Sequence, residues 1–422
     1  MRRSATTLLV TLTLGVISHG LDLGSTAAIK SSAQSVADRL NSTYATTFSG
    51  SDASLIRVNS TWWDYGAITG SLIDYWALTG DSSFNPQVQK AILSQAKGSL
   101  TFVPSARQSK ASFSDQAIWA LAALSAYEQK FPAGASESYL LMATSVFDQQ
   151  AERWDNTTCD GGFNSTITQT MFPQGQKDAL SVGSFFQLAA RLAFNTQNNT
   201  YVQWADRAYN WAVKVGIVNE RSYDVYEGTE AVSNCSPETL SHTQWSVNAA
   251  TFLYGSALLY NVTYTQTWIS RTQGSFTSLN NSFFPKGVVR EPVCDSSSCT
   301  TSRRTYNAML MRWLARTAIS APFLTATIQS MMDQSAESVI RGCDGDTTCS
   351  VDGKTGLSEQ LIALDAVLAL LVGRSPDTVT TTSSSGSSIV PSATSSGGAS
   401  SQISEWSSWA VICVVLLLYC VA

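Results

Sequence analysis

The chain has 422 residues, of which 44% are hydrophobic and only 14% charged, and its net charge is −5. No basic patch stands out, which excludes a nucleic-acid partner held by clustered Lys and Arg and suits a neutral polysaccharide. The two histidines, His19 and His242, are too few for a His-based triad or metal cluster. With no C-x-x-C pair and no calcium-loop spacing either, no metal or other cofactor is implied.

From the N-terminus, Met1-Arg2-Arg3 leads into an apolar run from Leu8 to Ile17 and then Ser18-His19-Gly20, the pattern of a secretory signal over 1–20. A folded domain is expected over 21–374. Helical periodicity predicts helices over 28–40, 67–79, 86–98, 116–130, 138–153 and 179–196. Further helices follow over 201–215, 243–260, 264–279, 304–319, 322–341 and 357–371. Turn signals such as Thr79-Gly80-Asp81-Ser82 punctuate them, and strand-like alternation is scarce. The class is all-α. Helices that are apolar on nearly every face, such as 245–260, predict an inner ring inside an outer one, an (α/α)6 barrel or toroid. The competing α-solenoid would need a fixed-period repeat, and none is visible.

The densest chemical signal is Ser112-Phe113-Ser114-Asp115-Gln116, which opens the helix continuing through Ile118, Leu121 and Leu124. Asp115 stands at the helix's N-terminal mouth, where Ser112 and Asp115 also spell a capping box that would satisfy orphan N–H groups. Trp62, Trp63, Tyr65, Trp154, Tyr223, Tyr226 and Trp245 are expected in loops or at helix starts. There they either stack on sugar C–H faces or join the core. The cluster Trp62-Trp63-Asp64-Tyr65-Gly66 leans toward the former, since adjacent indoles do not easily share one core.

Cys413 and Cys420 fall in the C-terminal tail, which leaves Cys159, Cys235, Cys294, Cys299, Cys343 and Cys349, an even set suited to disulfides. Cys294/Cys299 and Cys343/Cys349 sit in short polar loops and could close small rings, leaving Cys159 for Cys235; other connectivities stay open. Sequons stand at Asn41, Asn59, Asn156, Asn164, Asn198, Asn234, Asn261 and Asn280. Residues 375–404, rich in Ser, Thr and Gly, read as a disordered, O-glycosylated stalk. The tail, 405–422, ends in an uncharged run from Trp409 that is shorter than the roughly 20 residues of a spanning helix. Behind the small residues around Gly398, it reads as a GPI-attachment signal that is removed, with a weak membrane span as the alternative.

Several blocks in order carry a family resemblance: Leu21-Asp22-Leu23, Gly70-Ser71-Leu72-Ile73-Asp74-Tyr75-Trp76, Ala151-Glu152-Arg153-Trp154-Asp155 and Phe185 to Ala193. Gln244-Trp245-Ser246-Val247-Asn248-Ala249 and Arg312-Trp313-Leu314-Ala315 continue the series. Over essentially the whole domain the chain resembles the fungal members of glycoside hydrolase family 76, endo-α-1,6-mannanases and related GPI-anchored cell-wall proteins. The resemblance implies an (α/α)6 barrel and a retaining mechanism on α-1,6-linked mannose. In that pattern two consecutive aspartates precede the Gln, a nucleophile and then a general acid/base. Asp115 falls on the second and Ser114 on the first, so the nucleophile's position is substituted. The resemblance further places Trp62, Trp63, Asp64, Asp74, Asp178, Tyr226, Trp245 and Asn248 along the substrate cleft. The segments Phe163-Asn164-Ser165-Thr166 and Lys177-Asp178-Ala179-Leu180-Ser181, both departing from the family pattern, should border it.

The implied function is a cell-surface mannan endo-1,6-α-mannosidase or transglycosidase on α-1,6-mannan or GPI-core mannose in wall biogenesis, a monomer tethered by a GPI anchor. Asp64, Asp178 or an activated water would then stand in for the missing nucleophile. The alternatives are a mannan-binding pseudo-enzyme, because a Ser hydroxyl without a base is no nucleophile, and a structural or adhesion protein.

Overall fold

The computed structural model describes residues 21–45, 62–96, 100–103, 111–132, 136–167, 175–296 and 299–373. The expected signal, stalk and tail, and the sequon at Asn59, lie outside the described residues. Among those described, the helices in chain order are α1 (Thr26–Ala45), α2 (Trp62–Thr79), α3 (Asn85–Gln95), α4 (Phe113–Glu128) and α5 (Ser136–Glu152). They continue with α6 (Ala179–Thr196), α7 (Asn199–Lys214), α8 (Ser246–Thr263) and α9 (Gln266–Phe283). The short α10 (Val293–Ser296) and α11 (Thr301–Arg304) precede α12 (Tyr306–Ser320), α13 (Thr325–Ile340) and α14 (Leu357–Ala369). Every helix predicted from periodicity is present. The main departure is α2, which begins at Trp62, so the aromatic cluster is helical and not a loop.

Local chemistry sets the boundaries. Ser112, Asp178 and Asn198 cap α4, α6 and α7, each accepting a backbone N–H of the first turn. Gln197 and Tyr264 end α6 and α8 in the left-handed conformation. Helices α2, α4, α6, α8, α12 and α14 are buried on nearly all faces. They pack side by side in that order, with α14 returning to α2, and this closes a ring. Around it α3, α5, α7, α9, α13 and α1 each cover an inner neighbour. α7 shows the division: one side buries Ala205, Ala208, Tyr209, Trp211 and Ala212 and the rest faces outward. The arrangement is an (α/α)6 barrel. Inner helices approach closely where a side chain would collide, as at Gly255 of α8 against the Phe186 ring of α6.

Each outer helix returns the chain to one end, so the inner helices run parallel and start at a common mouth. The far end is fastened by charge. Arg191 of α6 makes a two-pronged bond to Glu128 of α4, at 3.0 and 2.7 Å, and Arg316 of α12 pairs with Asp74 of α2. Disulfides join Cys159 to Cys235, Cys294 to Cys299 and Cys343 to Cys349. Among the described sequons, Asn156, Asn198 and Asn234 are exposed, and Asn41, Asn164, Asn261 and Asn280 half-buried.

Candidate active site

A collar of extended segments frames the mouth over α4, α6 and α8. Ser112 bridges Thr166 in antiparallel fashion, with Ile167 N–H donating to the Ala111 carbonyl at 3.0 Å. Ser165 N–H then donates to the Gln176 carbonyl at 2.8 Å. Gln176 opens β1 (Gln176–Asp178), antiparallel to β2 (Gly228–Glu230), and Gly228 bridges Ser241. The segments 163–166 and 177–181 therefore do border the mouth. Lys177 turns away, buried, to bind Asp155 at 2.8 Å and the carbonyls of Thr158 and Gly161.

Inside the collar, the first turns of the inner helices present acids and rings. Ser112 Oγ accepts the Asp115 N–H at 2.9 Å, and the Asp115 carboxyl takes hydrogen bonds back from Ser112, which completes the capping box. Burial nonetheless pushes Asp115 up to about 6; the Ser112 bonds work against this, and the negative charges of Asp64 and Asp178 add to it. Those three carboxyls, from α2, α4 and the cap of α6, thus share one electrostatic field. Asp64 is buried and accepts the Ser302 hydroxyl at 2.7 Å. Asp178 accepts Ser181 N–H at 2.7 Å, and its carboxyl is raised by burial and by Glu227. Helix N-termini favour negative charge, so this end of the barrel can hold several carboxyls.

Ser114 is buried, and its hydroxyl meets another hydroxyl, Ser112 Oγ, at 2.9 Å. His242, the one histidine among the described residues, packs on the Tyr226 ring at 4.5 Å. Thus the contact at Ser114 is to a hydroxyl and not to a base.

The aromatic candidates divide. Trp63 stacks on Tyr306 of α12 at 5.4 Å, and Trp245, the cap of α8, meets the same ring edge-on at 5.6 Å. Trp245 donates to Glu227 at 3.0 Å, with the Arg303 guanidinium over its face. Asn248 follows in the first turn of α8, its Oδ1 without a hydrogen-bond partner. Trp62 departs from expectation: it donates to Gln95 at 2.9 Å and stacks on Trp119, inside the wall between α2, α3 and α4. Adjacent indoles on a helix diverge by about 100°, so one reaches the mouth and the other the wall. Trp154 joins a core cluster with Phe163 and Trp211. Asp74 also departs: ten residues beyond Asp64, about 15 Å along α2, it belongs to the ion pairs at the far end. Sequence reasoning missed Tyr306, Glu227, Ser302 and Arg303, which arrive from segments distant in the chain.

Against known proteins, the sequence pattern of glycosyl hydrolase family 76 matches residues 28–382. The chain belongs to glycosyl hydrolase family 76. Within this family it is 34% identical over 321 residues to mannan endo-1,6-alpha-mannosidase DCW1 of Saccharomyces cerevisiae, covering 73% of this chain and 71% of that one. The crystal structure of Dfg5 from Chaetomium thermophilum in complex with glucosamine superposes with a TM-score of 0.79 at 30% identity, covering 83% of this chain and 92% of that one. An inactive Salegentibacter alpha-1,6-mannanase variant, with two consecutive aspartates changed to asparagine and alpha-1,6-mannotriose bound, shares the fold at a TM-score of 0.64 and 16% identity. That match covers 80% of this chain and 99% of that one.

Proposed function

We propose that the protein hydrolyses or transfers α-1,6-linked mannosides of mannan or GPI-core glycans at the fungal cell surface, with Asp115 as general acid/base. The carrying observation is the Asp115 carboxyl at the mouth of the barrel, raised to about 6 beside Asp64 and Asp178. A carboxyl in that range holds a proton in mild acid and releases it near neutrality, as a residue that acts first as acid and then as base requires. It donates its proton to the glycosidic oxygen as the bond to the anomeric carbon breaks. A second carboxylate, Asp64 or Asp178, attacks that carbon in place of the residue at Ser114. Water or an acceptor hydroxyl, deprotonated by Asp115, then releases the glycosyl group with retained configuration. Trp63, Tyr306 and Trp245 supply apolar ring surface for the sugar C–H faces. The names of the yeast relatives support the mannoside class.

The domain over 21–374, monomeric and carrying N-glycans at the sequons, would stand on the 375–404 stalk above a lipid anchor. No helix among the described residues is long and apolar enough to cross a membrane.

Product analysis on α-1,6-mannotetraose tests the reading: wild type turns over, Asp115→Asn does not, and either Asp64→Asn or Asp178→Asn matches that loss. The hydroxyl at Ser114 favours one other reading, a mannan-binding protein without catalysis. A silent wild type that binds mannotetraose and gains activity on Ser114→Asp would establish that reading and overturn ours.

A further inference from the structure

At the far end, where α8 and α12 finish, the chain leaves apolar side chains in water. Tyr264, which ends α8, is 74% exposed, Ile319 of α12 is 54% exposed, and Phe323 in the turn Pro322–Leu324 is 43% exposed. Half-buried Tyr260 links the two rings: its centroid lies 6.1 Å from that of Tyr264 and 5.5 Å from that of Phe323. Apolar residues scattered singly over a surface need no explanation, but rings gathered into one patch mark a surface that something covers. Tyr264 also takes the left-handed conformation, φ 53°, at a helix end where Gly is the usual residue. A bulky ring is thus held there at a conformational cost and then left in solvent.

Inside the patch stands a sequon. Asn261 directly follows Tyr260, and Asn261-Val262-Thr263 reads as an acceptor for an N-glycan. Asn261 Nδ2, the atom that would carry the sugar, donates to the carbonyl of Ser320 at 3.2 Å, between Ile319 and the turn that holds Phe323. A glycosylated amide keeps one hydrogen, so that bond survives the modification. The three disulfides suit an oxidising compartment, as the secretory route on which N-glycans are added provides.

We propose that the N-glycan on Asn261 folds back over this patch, its inner N-acetylglucosamine residues laid on the rings of Tyr264 and Phe323. Those sugars are neutral and present the apolar C–H faces that aromatic rings accept. A contact too weak to hold a free monosaccharide suffices here, because the covalent tether keeps the glycan at an effective concentration of roughly millimolar. A second copy of the chain would have no such tether, and the same glycan would obstruct its approach.

The test uses the glycoprotein secreted by a fungal host. Peptide mass spectrometry should find Asn261 occupied, and hydroxyl-radical footprinting then reads the patch. In wild type, Tyr264 and Phe323 should react about twofold less than in Thr263→Val, since a stacked sugar covers one of the two faces of a ring. Thr263→Val abolishes the acceptor but leaves Asn261 and its bond to Ser320 in place. Thr263→Ser keeps the acceptor and should behave as wild type. Leu141 of α5, 53% exposed, should react alike in all three. Stripping the N-glycans from folded wild type should raise the reactivity of Tyr264 and Phe323 in the same way, and this arm holds even if neither variant folds. An unoccupied Asn261, or rings that react equally with and without the glycan, overturns the proposal. Neither readout depends on turnover, so a wild type silent on mannotetraose refutes only the enzymatic reading.

Discussion

At Asp115, two roles pull one carboxyl in opposite directions. Its bonds with Ser112 close the first turn of α4 and favour the charged form, whereas burial and the neighbouring Asp64 and Asp178 favour the proton. Burial is the larger, and the net position, about 6, suits an acid/base group. As general acid Asp115 must be protonated, so kcat/KM on mannotetraose should fall as pH rises through about 6, and Asp115→Asn should lower kcat by about 100- to 10,000-fold. Because Ser112 holds the carboxyl down, Ser112→Ala should move that alkaline limb to higher pH. It should also cost about 1 kcal/mol of stability through the lost cap, measured by urea titration. A purely structural Asp115 would show the stability loss with no moving limb.

Among the helices, inner neighbours are joined by close backbone approach and by side-chain clamps far from the mouth. Arg191 reaches across from α6 to Glu128, the Ser125 hydroxyl and the Leu121 carbonyl of α4. Replacing one partner leaves the other buried or half-buried without its charge. Arg191→Met should therefore lower stability by about 3 kcal/mol, seen as a drop in the urea midpoint. The residue is at the opposite end from Asp115, so the pH limb near 6 should not move. Gly255→Ala probes the apolar side of the same packing, where a methyl group meets the Phe186 ring. Overpacking of this kind costs about 1–3 kcal/mol.

For the whole molecule, folding raises several carboxyls at once. Glu291 is pushed up to about 8, Asp365 to about 7 and Asp115 to about 6, each chiefly by burial. The folded chain keeps these protons above the unfolded values of 4.5 for Glu and 3.8 for Asp, where the unfolded chain has released them. That stability is complete below the unfolded values and is lost as pH rises through the folded ones. Asp155 works the other way: Lys177 and two threonines hold it well below its usual range, so its contribution is lost in strong acid. The thermal midpoint should peak in mild acid and fall between about pH 5 and pH 8. Glu291→Gln should flatten the upper part of that fall. A midpoint that rises through this window would contradict the buried-carboxyl account.

Periodicity and capping are local, acting over three or four residues. The helices, the Ser112–Asp115 box and the all-α class were therefore readable from the chain alone, and α6 was predicted residue for residue. The two layers could be anticipated from helices that are apolar all round, since such helices must be covered on every side. What the sequence by itself could not decide is which end or face a side chain occupies. Asp64 and Asp74 lie on one helix about three turns apart, and only the closed barrel brings Ser302 of α11 to the first and Arg316 of α12 to the second. Trp62 and Trp63 are adjacent, and their roles diverge because Gln95 and Tyr306 lie in different directions. Tyr306 and Glu227 meet Trp63 and Trp245 from segments that come together only when the barrel closes. Such contacts depend on the meeting of distant surfaces, and the local sequence carries no trace of them.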